Sequence, residues 1–572
     1  MDFSLYYRKT KNQELFKTLE NSDIQLSNIQ NYIPIYEKFF SLNNSNYNSI
    51  NLNHKYHLHD VNNCLTKNIL TVKVSDISNN LFDKTIFCKF SPLLDPLKYM
   101  TGKYDISNNS LFKLPDYQDT KCFPKLLDHN NTSYVDGFFT YLSSQLNNNY
   151  GFVHGVDYYG SFLCNQKEFM YNIVDDIDYL NESNYFHEKK NILFKLESDE
   201  YADIFNIDSR RNKKKIKITE PINNIDIDNL DDVNFDVLPV DDISSSDNTM
   251  LLDLNEACIF NTILDKTSRS SSSSSSSSSC SSKSSNTTVD ENDDCELNDI
   301  DVGSYQGDSD SESETDEQDI FCSIYDFPVE MICLEKCENT LDMLMEEELL
   351  NNSEWTSCLF QIIMILTIYQ KTFSFTHNDL HTNNIMYIPT EKKFIYYCYD
   401  GTYYKVPTFG KIYKIIDFGR AIYKFNGKTM CSDSFHPKGD AASQYNCEPY
   451  FDEKKPRLDP NTSFDLCRLS CCLFDNFVND LEELPQLIKK NKIVALLHQW
   501  LLDDKKRNVL YKNNGDERYP EFKLYKMIAR TVHNAIPCEQ IQHDIFKTYI
   551  TSKKKINKNN KIIHFDKIPN LQ

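Results

Sequence analysis

The run His377-Asn378-Asp379-Leu380-His381-Thr382-Asn383-Asn384-Ile385 sets a carboxylate and an amide five residues apart. Downstream, Ile416-Asp417-Phe418-Gly419 puts a second carboxylate at the end of an apolar stretch. One carboxylate to orient an attacking hydroxyl, plus an amide oxygen and a second carboxylate to hold a divalent cation, is the set that phosphoryl transfer from Mg-ATP requires. Each half is weak alone, because an Asp and an Asn at this spacing recur by chance and Asp-Phe-Gly fits any strand that ends in a turn. The flanking elements strengthen them. Thr367 to Phe375 closes a helix-like segment, and Lys411 to Ile416 alternates as a short strand running into Asp417.

In this order the two motifs resemble the catalytic loop and the Asp-Phe-Gly element of the protein-kinase-like superfamily. The phrase Phe87 to Met100 resembles the corresponding segment of atypical Ser/Thr protein kinases inferred for giant DNA viruses. The resemblance implies an α+β, bilobal fold with a small β-rich N-lobe and a mainly helical C-lobe. It implies ATP and Mg²⁺ as cofactors, Asp379 as the base or hydroxyl-positioning group, and Asn384 and Asp417 as metal ligands. Asn378 stands where many regulated kinases carry an arginine that clamps a phosphorylated loop, so control by that route is not expected. His381, two residues past the base, stands where Ser/Thr kinases usually have lysine. Its imidazole would hydrogen-bond a phosphate or the base.

The elements that must position these groups follow from the same resemblance. Lys84 to Phe90 alternates as a strand, with Ile86, Cys88 and Phe90 on one face and Phe87 and Lys89 on the other. Lys89, central in it, is the candidate for gripping the phosphates, with Lys84 and Lys98 as competitors. Its partner in kinases is a helical glutamate, but no glutamate occurs between Glu37 and Glu168. The helix expected over Ser133 to Leu146 has one acid, Asp136, which would either replace that glutamate at shorter reach or face solvent. No glycine precedes Gly102, so the glycine-rich loop that covers the phosphates is absent in its usual form. Phe327 to Glu338 reads as a strand leading to a hinge, where backbone near Glu335 and Cys337 would meet the adenine. Ser463 to Leu469 starts a helix whose Asp465 would anchor the catalytic-loop backbone.

The chain has 572 residues, 40% hydrophobic, and a net charge of −23 that is concentrated in the middle. That acidity argues against general nucleic-acid binding. The apolar run Leu359 to Tyr369 is too short to span a bilayer, and Met1-Asp2-Phe3-Ser4 does not open a signal peptide. An intracellular, soluble protein of the cytoplasm or a virion is expected, with Lys213-Lys214-Lys215 a weak nuclear address. The 18 cysteines show no C-x-x-C pair. Cys333/Cys337 and Cys467/Cys471 read as core residues rather than metal ligands.

The organisation read from these shifts is an N-terminal extension over 1–60 and a first N-lobe part over 61–190. An insertion follows over 191–320, with uninterrupted serine at Ser270–Ser279 and Asp, Glu and Ser thereafter, a composition expected to be disordered. Within it, Ser309 to Glu314 resembles a target for an acid-directed kinase. The last N-lobe strand, hinge and helix occupy 321–350, the C-lobe 351–550, and a mobile basic tail 551–572. Tyr158–Cys164 and Phe169–Val174 read as a hairpin turning near Asn165-Gln166. Three functions fit: an atypical Ser/Thr protein kinase acting on a protein hydroxyl, a small-molecule phosphotransferase, or a pseudokinase scaffold.

Overall fold

In the computed structural model, residue 3 and residues 5–119, 121–197 and 320–572 are described. The expected serine-rich and acidic insertion lies outside them except at 191–197 and Ile320. Lys213–Lys215 and Ser309–Glu314 lie outside them as well. The described chain is mixed α+β, built on a seven-stranded antiparallel sheet followed by helices.

The sheet strands are β1 (Leu26–Gln30), β2 (His57–Cys64), β3 (Ile69–Ser75), β4 (Leu81–Pro92), β5 (Tyr158–Asn172), β6 (Phe194–Leu196) and β7 (Phe321–Glu335). Their order is β1-β5-β7-β4-β3-β2, with β6 paired to the first half of β7. β4 carries the expected alternation: Ile86 and Cys88 are fully buried, whereas Phe87 is exposed. Lys89 lies opposite Ile332 of the central strand β7.

Three readings change here. β5 is one continuous strand, not a hairpin. Asn165 and Gln166 pair with Pro328 and Phe327 on one side and with Ser27 and Leu26 on the other. The Asn165 amide donates to the carbonyls of Phe112 and Asp326, so a polar residue that would suit a turn is satisfied inside the sheet. β7 starts at Phe321, before the proposed Phe327, because β6 and the far end of β5 pair with its early residues. The N-terminal extension is part of this framework: β1 is a sheet edge, and helix α1 (Gln13–Glu20) buries Leu15, Phe16 and Leu19.

Helix α2 (Thr132–Tyr150) is the central rod. Asn131 caps its start by accepting from the Ser133 N–H, and Gly151 ends it at φ 69. Every residue from Ser133 to Leu146 is buried, so the helix is enclosed on all sides rather than amphipathic. Helix α3 (Leu341–Glu346) and the long α4 (Asn352–Phe373) follow. An Asn351–Glu354 capping box opens α4, and its Leu359–Tyr369 stretch is core.

Around the loop from His377 to Ile385 run β8 (Asn339–Thr340), β9 (Ile385–Pro389), β10 (Phe394–Tyr399), β11 (Thr402–Pro407) and β12 (Lys411–Ile415). β8, β9 and β12 form a small sheet, in which β12 delivers the chain to Asp417. β10 and β11 are joined by Asp400-Gly401, both at positive φ, as a two-residue hairpin turn requires. Farther on come β13 (Ile422–Phe425) and β14 (Lys428–Cys431), then helices α5 (Phe464–Phe477), α6 (Lys492–Trp500) and α7 (Phe522–Thr531).

The basic tail is not a free end. β15 (Ile550–Thr551) pairs with β11, and β16 (Ile562–His564) pairs in parallel with β10. Ile556, Ile563, Phe565 and Ile568 are buried while Lys553 to Lys555 point outward. An open strand edge and four apolar side chains outweigh the local lysine content. No helix among the described residues is long and apolar enough to cross a membrane.

Beyond α2, His154 is enclosed between elements: its ring bonds the Tyr413 carbonyl and the Tyr397 hydroxyl, each at 2.7 Å. Burial pushes its pKa down to about 4, and burial does the same at His57. Both groups bind protons in the unfolded chain near pH 6.5 but resist them when folded. Their contribution is therefore complete above about pH 6.5 and is lost as pH falls towards 4, by about 3 kcal/mol for each fully shifted histidine. Urea midpoints should drop between pH 7 and pH 5, and the drop should shrink in His154→Gln. A midpoint flat across that window would contradict this reading.

Candidate active site

Lys89 is where three elements meet. From β4 its ammonium lies 2.6 Å from Asp136 Oδ2 on α2 and 2.9 Å from Asp417 Oδ1 after β12. Lys84 instead reaches the Tyr159 hydroxyl, and Lys98 pairs with Asp95. Burial works against the charge on Lys89, but the two carboxylates more than offset it and raise its pKa. Burial likewise pushes Asp417 up, and Lys89 overrides this and holds it down to about 2. Asp136 is the deepest of the three, and burial leaves its carboxyl above the ordinary value despite Lys89. Both of its oxygens accept hydrogen bonds, from Lys89 and from the Phe418 N–H at 2.8 Å, which suits the ionised form.

Asp417 sits at φ 61, a left-handed conformation that Asp tolerates better than most residues. The turn aims its carboxylate at Lys89 and drops Phe418 into the core. There Phe418 meets Phe139 of α2 (ring centroids 4.7 Å apart), Phe375 and His377.

The loop that bears Asp379 and Asn384 is held by its backbone. Asp465 of α5, fully buried, accepts from the His377 N–H at 2.9 and 3.1 Å and from the Asn378 N–H at 2.9 Å. This is the anchoring contact expected of it. Asn378, at φ 64, donates to the Arg420 carbonyl and accepts from the Tyr445 hydroxyl. The next residue, Asp379, turns its carboxylate between Arg420, whose Nε lies 3.8 Å from Oδ2, and Tyr525 of α7, whose hydroxyl donates to Oδ1 at 3.0 Å. Burial raises the Asp379 pKa, but Arg420, His381 and Arg468 leave it below the ordinary value.

Asn384 donates from its amide to the Asp379 carbonyl at 2.9 Å and to His381 Nε2 at 3.0 Å. Both amide hydrogens are thereby used and Oδ1 is left as an acceptor. His381 accepts at Nε2, and burial lowers its pKa, so it is a neutral ring that orients Asn384. The Asn384 carbonyl accepts from the Ile416 N–H, which sets positions 384 and 417 at neighbouring strand ends.

In the segment expected as a hinge, the Glu335 N–H is already committed to the Asp157 carbonyl at 2.9 Å. Its side chain pairs with buried Lys414 at 2.5 Å. Cys337, by contrast, keeps its backbone N–H and C=O free of hydrogen bonds to other described residues. The β2–β3 turn, Leu65 to Asn68, closes without glycine. The Asn68 carbonyl accepts from the Cys88 N–H and its amide donates to the Cys88 carbonyl, which places the turn beside Lys89.

Several residues here were not singled out from the sequence. Arg420, Arg468 and Lys414 gave no signal, because surface and site cations look alike in a sequence. Tyr525 lies 146 residues beyond Asp379. Glu330 did leave a mark, as the one acid in the apolar run Val329 to Leu334. It is 1% exposed on β7, its Oε2 has no hydrogen-bond partner among the described residues, and burial raises its pKa well above the ordinary value. Gly137 of α2 makes room for it: a Cβ there would stand 2.4 Å from Glu330 Oε1.

No family model matches the chain. Short stretches are similar to three known proteins. One, of Invertebrate iridescent virus 3, is described as a probable kinase and is 30% identical over 100 residues, covering 18% of this chain and 19% of that protein. An uncharacterized protein of Caenorhabditis elegans is 28% identical over 106 residues, covering 17% and 36%. A probable serine/threonine-protein kinase of Dictyostelium discoideum is 48% identical over 54 residues, covering 8% and 4%. The matches therefore cover between 4% and 36% of these relatives' own length, and two of the three are named as kinases.

Replacing a helix-interior glycine by alanine ordinarily stabilises a protein. Gly137→Ala should do the reverse, losing about 1–3 kcal/mol through overpacking against Glu330. In a Glu330→Ala background the same change should become neutral or favourable. Denaturant unfolding of the four proteins measures the coupling, and a Gly137→Ala chain as stable as the parent would refute the contact.

Proposed function

We propose that this chain transfers the terminal phosphoryl group of ATP to a hydroxyl, with protein Ser/Thr side chains as the acceptor class. The observation that carries this reading is the convergence at Lys89, whose ammonium joins a strand, a helix carboxylate and the Asp417 carboxylate beside the loop bearing Asp379 and Asn384.

The donor set suits magnesium. No cluster of three or more His, Cys, Asp or Glu groups fit to hold a metal occurs among the described residues. Mg²⁺ characteristically takes one or two protein oxygens and completes its shell with phosphates and water. Asn384 Oδ1, freed by the orientation of its amide, and the Asp417 carboxylate would hold it. Bound there, the ion would neutralise charge on the phosphates.

The chain's own residues do the rest in this reading. Lys89 grips the phosphates and is kept charged by its two acids. Free backbone groups at Cys337 receive the adenine edge, while Glu335 acts through Lys414 to hold the hinge rather than through its own N–H. Asp379 orients the acceptor hydroxyl and takes up its proton. His381 keeps Asn384 in its working rotamer, a positioning role. Asp465 holds the loop so that these groups keep their spacing.

One observation favours a second reading, a nucleotide-binding scaffold without transfer. The turn at Leu65–Asn68 carries side chains where close backbone approach to phosphates favours glycine. Labelled ATP with Mg²⁺ separates the two. The wild-type chain should label an acceptor protein, and Asp379→Asn should lower the rate about 10²–10⁴-fold while nucleotide still binds. Lys89→Met should weaken nucleotide binding itself. Binding without transfer in wild type, over a broad acceptor panel, would establish the scaffold reading, and absence of binding would end both.

A further inference from the structure

The base position is already engaged by the protein. Tyr525 donates its hydroxyl proton to Asp379 Oδ1 at 3.0 Å, and the Tyr525 hydroxyl oxygen accepts from Arg468 Nε at 3.0 Å. The ring is held in place: it stacks on Phe522 with centroids 5.5 Å apart, tilts against Phe464 at 5.9 Å, and has the Arg468 guanidinium 5.2 Å from its centroid. Arg468 belongs to α5, the helix whose Asp465 holds the catalytic-loop backbone, so phenol and base are referred to one rigid element.

We propose that Tyr525 is a modification site of this chain, the internal hydroxyl to which its own active site transfers phosphate. The inference rests on the phosphoryl-transfer reading and adds one internal phenol to its Ser/Thr acceptors. The hydroxyl that a positioning carboxylate binds is the one it presents for attack, and here that hydroxyl is a phenol on helix α7. In the step, the Tyr525 oxygen bonds to the terminal phosphorus of a nucleoside triphosphate. The bridging P–O bond breaks, its electron pair leaving with the diphosphate, and the phenolic proton passes to Asp379 and on to solvent. Arg468, at the phenolic oxygen, favours the negative charge that develops there.

The product has a consequence for the site. A phosphotyrosine carries a charge of about −1.5 to −2 near neutral pH. At position 525 it would lie beside Arg468 and against the Asp379 carboxylate, drawn to the first and repelled by the second. Modification would therefore break the Tyr525–Asp379 contact and leave Asp379 open to an external hydroxyl. Tyr445 is a built-in control. It is equally close to the loop, but its hydroxyl bonds the Asn378 amide oxygen and not Asp379.

The test uses the full chain, dephosphorylated, with ATP and Mg²⁺. Phosphosites are mapped by tandem mass spectrometry, and nucleotide binding is measured separately by calorimetry. Near-stoichiometric phosphate on Tyr525 is expected, with none on Tyr445, at a rate per molecule independent of protein concentration. The mark should be absent in Asp379→Asn and Tyr525→Phe. Transfer to added proteins should begin with a lag that prior incubation with ATP removes. Wild-type mapping does not depend on either variant folding. Nucleotide binding with transfer to other acceptors but an unmodified Tyr525 would overturn this proposal and leave the phosphotransferase reading standing. A Tyr525 mark whose rate rises with protein concentration would overturn the internal route. Neither binding nor transfer would overturn both readings.

Discussion

A lysine ammonium held between two carboxylates is the contact on which the arrangement depends. Lys89 comes from the sheet, Asp136 from the enclosed helix α2, and Asp417 from the turn after β12. The fully buried Asp136 carboxylate would be costly alone; the partly exposed Lys89 satisfies it, and the half-exposed Asp417 carboxylate shares that ammonium. The Asp136 carboxylate also takes the Phe418 N–H, so one acid ties the helix to the lysine and to the turn that carries the third member. Phe418, buried against Phe139 of the same helix, adds an apolar tie alongside the polar one. Position of helix, strand and turn is thus a single coupled choice.

The shorter reach of aspartate is accommodated by close packing of α2 on the sheet. Gly137, one residue on from Asp136, has no side chain, and the Glu330 carboxyl of β7 occupies the space that a Cβ would need. A helix-interior glycine gives up stability, and here it permits the close approach that a one-carbon-shorter acid demands. The N-terminus of the same helix is fastened to the segment after Asp-Phe-Gly: Asp433 accepts from the Thr132 N–H at 3.1 Å, and the Thr132 and Ser432 hydroxyls meet at 3.0 Å. Asn378, which cannot clamp a phosphorylated loop as arginine would, is instead saturated by Thr376, Arg420 and Tyr445.

The loop that bears Asp379 is rigid for a separate reason. Three backbone N–H bonds converge on the buried Asp465 carboxylate, and α5 also supplies Arg468, which reaches the Tyr525 hydroxyl. Asp379, its backbone anchor Asp465 and the Tyr525 phenol are referred to one helix. Movement around Tyr525 therefore requires α7 to leave α5, while the side bearing Lys89, Asn384 and Asp417 stays fixed by the sheet.

Much of the candidate site was legible because the motifs are local. Asp379 and Asn384 share one loop, Asp417 ends one strand, and the alternation around Lys89 sets its face, all within spans where side-chain direction follows from backbone period. Asp465 was legible through the resemblance of the helix it opens, which implied that it anchors the loop backbone. The β4 and α4 assignments rest on the same periodicity. The unbroken β5 strand was hidden because Asn165-Gln166 has turn-forming chemistry locally and is satisfied only by partners on β1 and β7. The docked tail was hidden because its lysines mask the few apolar residues that pair with β10. Residue types, short-range spacing and the family resemblance they carry were thus enough to nominate the carboxylates, the amide and the lysine. Only the tertiary structure decided that Asp136 rather than solvent meets Lys89, that Gly137 and Glu330 interlock behind it, and that Tyr525 reaches Asp379. Those are contacts between elements far apart in the chain, and no local period encodes which distant surface a side chain will meet.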